Sequence, residues 1–115
     1  MSKLLAFAVP ILPGKEEDWR KFVADLDGSR KSEFLASRKK LKVRERVFSQ
    51  HTPMGDMAIV TLEGEDPQSS LQQFSSGDDD FTKWFVGKVK ELHNFDLTQP
   101  PTSPMPEMVA DSGEL

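Results

Sequence analysis

"VRERVFSQHTPMGDMAIVTLEG" (43–64) reads as a β-hairpin, and that reading decides how the rest of the chain must be arranged. Two runs rich in strand formers, 43–50 and 55–64, flank the connection His-Thr-Pro-Met-Gly-Asp. Gly55 and Asp56 suit a turn, and Pro53 is pre-set for a corner position. A connection this short joins antiparallel neighbours, because a parallel crossover needs about a dozen residues or more. In the second run Met57, Ile59 and Thr61 face opposite Ala58, Val60 and Leu62, so both sides of the strand are largely apolar.

Working outward, "KLLAFAVPIL" (3–12) is a third strand. Leu5, Phe7, Val9 and Ile11 face one way, and Leu4, Ala6, Ala8 and Pro10 the other; both sides need cover. Although a lysine precedes this apolar run, two prolines interrupt it and no small-x-small cleavage site follows, so it is not read as a signal peptide. "PGKEEDWRKFVADL" (13–26) changes to helical spacing, with Trp19, Phe22, Val23 and Leu26 in one stripe and acids in the first turn. Gly28 interrupts the pattern, which resumes over 29–41 with Phe34, Leu35 and Leu41. The segment is therefore one kinked helix or two in succession.

Beyond the hairpin, Asp66 and Pro67 mark a helix start as N-cap and first helical residue, with Gly77 as the stop. A longer helix spans 78–95, its stripe made of Phe81, Trp84, Phe85, Val89 and Leu92. A further short strand is expected around Phe95–Leu97. From residue 98 the text becomes proline-rich, which forbids helix and central strand alike. Residues 1–97 are thus expected to form one α+β domain. Residues 98–115 form an extended tail, with Met105, Met108, Val109 and Leu115 available for docking.

The order β-α-β-β-α(-β) is that of a ferredoxin-like subunit, an antiparallel sheet with its helices on one face. One layer of helices cannot cover two apolar sheet faces. A second copy placing its sheet against the uncovered side is the economical solution, so a homodimer is expected. The element order, with the Thr-Pro-x-Gly-Asp hairpin, Asp-Pro before the helix that follows it, Phe-x-x-Trp-Phe in the 78–95 helix and the proline-rich end, resembles a family of small uncharacterised bacterial proteins of the dimeric α+β barrel superfamily. The resemblance covers residues 3 to about 110. Asn94 stands where those relatives have glycine, and asparagine also tolerates left-handed backbone. The superfamily includes cofactor-free monooxygenases, haem-binding proteins and non-enzymatic barrels, so the resemblance implies a fold more narrowly than a chemistry.

Composition excludes several classes. There are no cysteines, hence no disulfides and no thiolate chemistry, in keeping with a reducing cytoplasm. The net charge of -4 offers no general attraction for nucleic acid or anionic membrane, and no apolar run is long enough to span a bilayer. No tightly bound cofactor and no metal site are expected, because no His, Asp, Glu or Cys stands at ligand spacing.

The residues left to carry chemistry are few. His51 lies at the hairpin corner, where a polar residue is ordinary. His93 ends the last helix, where a cation complements the dipole; by the resemblance it is also the residue that would ligate haem. "RKKLKVRER" (38–46) is a basic run without interleaved aromatics and reads as a solvated face. Within it, Arg44 and Arg46 share a side with Phe48 and Gln50, while Glu45 goes with Val47, Ser49 and His51. Whichever side is covered must accommodate charge, either paired or lining a cavity. An arginine in such a cavity can hold a carboxylate bidentately. The pocket candidates are accordingly Arg44, Arg46, Gln50, His51, Trp84 and His93. The expected function is binding of a small organic molecule by a homodimer, with cofactor-free monooxygenase-like turnover as its catalytic form. The alternatives are a solidly packed, non-catalytic dimeric module and a haem-binding protein.

Overall fold

Alternation in the first strand carries directly into the structure, a computed structural model that describes residues 2–101 and 103–115. The strand β1 (Lys3–Pro10) is followed by α1 (Glu16–Leu26), α2 (Lys31–Lys40), β2 (Val43–Thr52), β3 (Gly55–Gly64), α3 (Pro67–Gln72) and α4 (Asp80–His93). The sheet order is β1-β3-β2, with β3 antiparallel to both neighbours. This α+β arrangement is compatible with a ferredoxin-like subunit. Phe7 stands opposite Val60, and Val60 opposite Val47, so one sheet face collects Val9, Ala58, Val60, Leu62 and Val43 as buried side chains. These meet Trp19, Phe22 and Leu26 of α1, Leu71 of α3, and Phe81, Phe85 and Leu92 of α4 in a single core. Leu62 and Leu92 have no exposed surface. Each is worth about 1.5–3 kcal/mol by burial alone.

The two helical segments around Gly28 are separate helices. The Asp27 and Gly28 amides donate to Val23 and Asp25 carbonyls, and Arg30 N also donates to Asp25 O at 2.7 Å, closing a tight turn in place of the helical ladder. A Cβ on Gly28 would stand 2.9 Å from the Ala24 carbonyl oxygen, which explains the glycine. On α2 the apolar stripe is only partly used: Phe34 packs against the core, but Leu35 is exposed. Asp66 caps α3 by accepting from Ser69 N, and Asp79 caps α4 through Thr82 N and Thr82 Oγ1. Helix α3 ends at Gln72, ahead of the Gly77 stop expected from the text. Asn94 takes up the left-handed conformation, with φ of 54°, and its amide closes onto Lys90 O.

The strand expected at Phe95–Leu97 does not form, leaving three strands among the described residues. Asp96 Oδ1 instead accepts from Thr98 N and Thr98 Oγ1, an Asx turn that ends extended pairing at once. Ile11 N donates to Asp56 O, so the odd-numbered residues of β1 bond to β3, and Leu4, Ala6 and Ala8 turn their amides toward the outer edge. At the end of that edge, Pro10 O accepts from His93 Nδ1 and Leu12 N donates to Leu92 O. In the tail, Met105 packs against the core, while Met108, Val109 and Leu115 are exposed. No helix among the described residues is long and apolar enough to cross a membrane.

Candidate functional site

Between the covered sheet face and the helices lies a chamber of about 50 Å³. β1 contributes Phe7 and Val9, β2 Glu45 and Val47, and β3 Ala58 and Val60. The roof comes from Trp19, Phe22 and Leu26 of α1, Leu71 of α3, Phe74 beyond it, and Phe85, Val89 and His93 of α4. Phe95 and Leu97 close one side. Among the described residues, Glu45 and His93 bring the ionisable groups to this wall. Phe7, Val9, His93 and Phe95 also border a larger cleft of about 680 Å³ along the β1 edge, whose other wall comes from residues within 94–101 and 103–106. His93 and Phe95 therefore stand at the junction of chamber and cleft.

His93 is buried, and its position follows from the helix end. The last turn of α4 delivers the ring beside the β1 edge, where Nδ1 meets Pro10 O at 2.7 Å. A carbonyl only accepts, so Nδ1 carries the proton, and Nε2 of the neutral ring is left as an acceptor. Burial holds the His93 pKa below its ordinary value, against the opposing effect of the Pro10 hydrogen bond. The ring is therefore neutral at pH 7 and can serve as a base or a ligand.

Glu45 is the second ionisable group, and its partner is Arg38. The Arg38 guanidinium donates from Nε to Glu45 Oε1 at 2.6 Å and from Nη1 to Ser37 Oγ at 2.8 Å. Both side chains are almost wholly enclosed, at 7% and 4% exposure. Three rings frame the cation: Phe74 at 3.9 Å, Phe85 at 4.5 Å and Phe34 at 5.1 Å from its centre. Nη2 is buried without a hydrogen-bond partner among the described residues, in a guanidinium whose central carbon lies over these rings. Arg38 was expected on a solvated basic face. It is buried instead because it falls four residues after Phe34, on the stripe of α2 that faces the core.

The six pocket candidates divide into separate groups. His93 lines the chamber and the cleft. Trp84, nine residues earlier on α4, is half-buried between Phe22, Phe81 and the Arg30 guanidinium, and does not line the chamber. Arg44, Arg46 and Gln50 project from the opposite sheet face. There Arg46 Nη1 donates to Glu63 Oε1 at 3.0 Å, and Arg44 and Gln50 are exposed. His51 sits at the hairpin end at 88% exposure, with Nδ1 at 2.6 Å from Asp56 Oδ1, its cross-strand partner. Glu45 and Arg38 are the residues that candidate list lacks. A signal for Glu45 was present, since it alternates with Val43 and Val47. Which side of β2 is covered, however, depends on where the helices pack.

The open sheet face has its own character. Leu4, Ala6 and Ala8 of β1, Met57 and Ile59 of β3, and Phe48 of β2 form an apolar field, with Arg44, Arg46 and Glu63 at one end. Leu4 is 47% and Phe48 52% exposed in the single chain.

Haem fits this site poorly. The chamber is far below the roughly 300–1,000 Å³ of ordinary ligand pockets, and the cleft wall includes no lysine or arginine for propionates. Among the described residues no group of three His, Asp or Glu side chains is placed to hold a metal ion. No family profile, curated protein or solved structure matches this chain.

Proposed function

We propose that this protein is a homodimeric α+β barrel of ferredoxin-like subunits, in which each subunit binds a small organic molecule at the junction of chamber and cleft. The observation that carries the ligand reading is the wall itself: an almost wholly aromatic and aliphatic lining with a neutral histidine at its mouth. Convergence of a few polar groups on an apolar hollow is the usual build of a small-molecule site. The dimer reading is supported by the apolar field on the open face, which one layer of helices leaves bare. Turnover, where it occurs, would use His93 Nε2 as a base toward an activated substrate without a tightly bound cofactor.

A thermal-shift screen with small neutral aromatic and aliphatic compounds tests the ligand reading. Val60→Trp, which fills the chamber, is expected to abolish the shifts; a screen without a single stabilising compound overturns it. Sedimentation at micromolar concentration tests the dimer. Phe48→Glu is expected to yield folded monomers, and a wild-type chain that is already monomeric removes the barrel.

The second reading is a solidly packed dimeric module without a ligand. It is favoured by the small size of the chamber and by Arg38, which already neutralises Glu45. The same screen separates the two.

A further inference from the structure

The polar inventory of the site restricts what it can hold. The ionisable side chains on the chamber wall are Glu45 and His93, whose carboxylate oxygens and unprotonated Nε2 are all acceptors. Arg38, the nearby cation, is already engaged by Glu45, Ser37 and the phenylalanine rings, and is not part of the wall. Trp19 adds an indole N–H, a neutral donor that cannot balance a charge. In the cleft the one carboxylate is Asp96, itself an acceptor held by Thr98 and facing Lys90 at 3.7 Å. Among the described residues no lysine or arginine lines either space.

An anion entering here would be desolvated with no free cation in return, because Arg38 and Lys90 already face Glu45 and Asp96. A purely apolar guest would leave the His93 Nε2 acceptor unused, whereas a hydroxyl or N–H could bond to it. We infer, resting on the ligand reading above, that the site selects a neutral, mainly apolar molecule carrying a hydrogen-bond donor, a hydroxyl or N–H that bonds to His93 Nε2, and rejects carboxylates and phosphates. The apolar body lies in the cleft and reaches into the chamber, and the donor sits at the junction. This reverses the sequence-level expectation of an arginine holding a carboxylate: Arg44 and Arg46 are on the other side of the sheet, and Arg38 is already paired.

The lowered His93 pKa agrees with this assignment, because a neutral ring keeps its acceptor at physiological pH.

Equilibrium dialysis with three probes of one shape tests the inference: 1-naphthol, naphthalene and 1-naphthoate, at about pH 7.5, above the histidine range. The naphthol is expected to bind about tenfold tighter than naphthalene, the worth of one hydrogen bond, with the naphthoate weakest. In His93→Phe, checked for folding by circular dichroism, the naphthol is expected to lose its advantage over naphthalene. Naphthoate binding as tightly as naphthol overturns the inference while the ligand reading stands. Naphthol binding no tighter than naphthalene, or a preference that survives in a folded His93→Phe, overturns it likewise. Should none of the three bind while other compounds stabilise the protein in the thermal-shift screen, only the inference falls; failure of both experiments removes the ligand reading as well.

Discussion

The two faces of one three-stranded sheet solve the same problem in opposite ways. On the helix side Val60 and Leu62 are buried, and even the charge on that face, Glu45, is enclosed with a dedicated partner. On the open side Ile59 and Phe48 are neighbours across the register, Phe48 is half exposed, and Arg46 pairs loosely with Glu63 at 35% and 40% exposure. Both faces are written in the same alternating apolar text. Alternation therefore makes a strand, while the cover decides what each face is for. The Arg38–Glu45 and Arg46–Glu63 pairs show the contrast most sharply: the same two residue types, 2.6 Å and 3.0 Å apart, in very different surroundings.

Substitutions on the two sides should separate accordingly. Removing the guanidinium in Arg38→Ala strands a buried carboxylate and is expected to destabilise by about 3–5 kcal/mol in urea unfolding. Leu62→Ala, at a fully enclosed position, is expected to lose about 2–5 kcal/mol. A change below about 1 kcal/mol at either site would show that the helix layer does not seal this face.

Gly64→Ala has an expected effect of about 1–3 kcal/mol. A Cβ there would stand 2.5 Å from the Lys42 carbonyl oxygen, where Lys42 itself takes a left-handed φ of 60° to enter β2. Wild-type-like unfolding would mean that the 42–43 entry can shift aside.

Acid is expected to weaken the helix side through His93. Its folded pKa lies below the ordinary value of 6.5, so the unfolded chain binds the proton more readily. The contribution is complete above 6.5 and is lost as pH falls through the folded pKa. Comparing urea midpoints of wild type and His93→Gln from neutral to mildly acidic pH checks it: the wild type should lose more stability over that interval, and parallel profiles would remove the assignment. On the open face, Arg46→Ala is expected to change monomer stability by less than about 1 kcal/mol, the ordinary worth of a half-exposed pair.

Much of this fold was legible in the residues. Alternation located β1, β2 and β3, Asp66-Pro67 marked the start of α3, and the acids at 78–80 included the Asp79 cap of α4. These are local signals, carried by a side chain and the backbone within a few positions of it. The candidate site was legible only in part. His93 could be named as a candidate, but the acceptor on its ring is set by Pro10, 83 positions away in sequence. A strand was expected at Phe95–Leu97, yet Asp96 Oδ1 there accepts from Thr98 N and Oγ1 and the sheet of the described residues keeps three strands.

Local text thus determined the strands, the helix caps and the presence of two apolar sheet faces, because period and capping act over one or two turns of chain. Only tertiary packing decided that Glu45's side of β2 is the covered one, that Arg38 leaves the solvent to meet it, and that Arg44 and Arg46 stay outside. Burial of a charge is settled by which partner reaches it, and Arg38 and Glu45 belong to different elements whose meeting depends on how α2 packs onto β2.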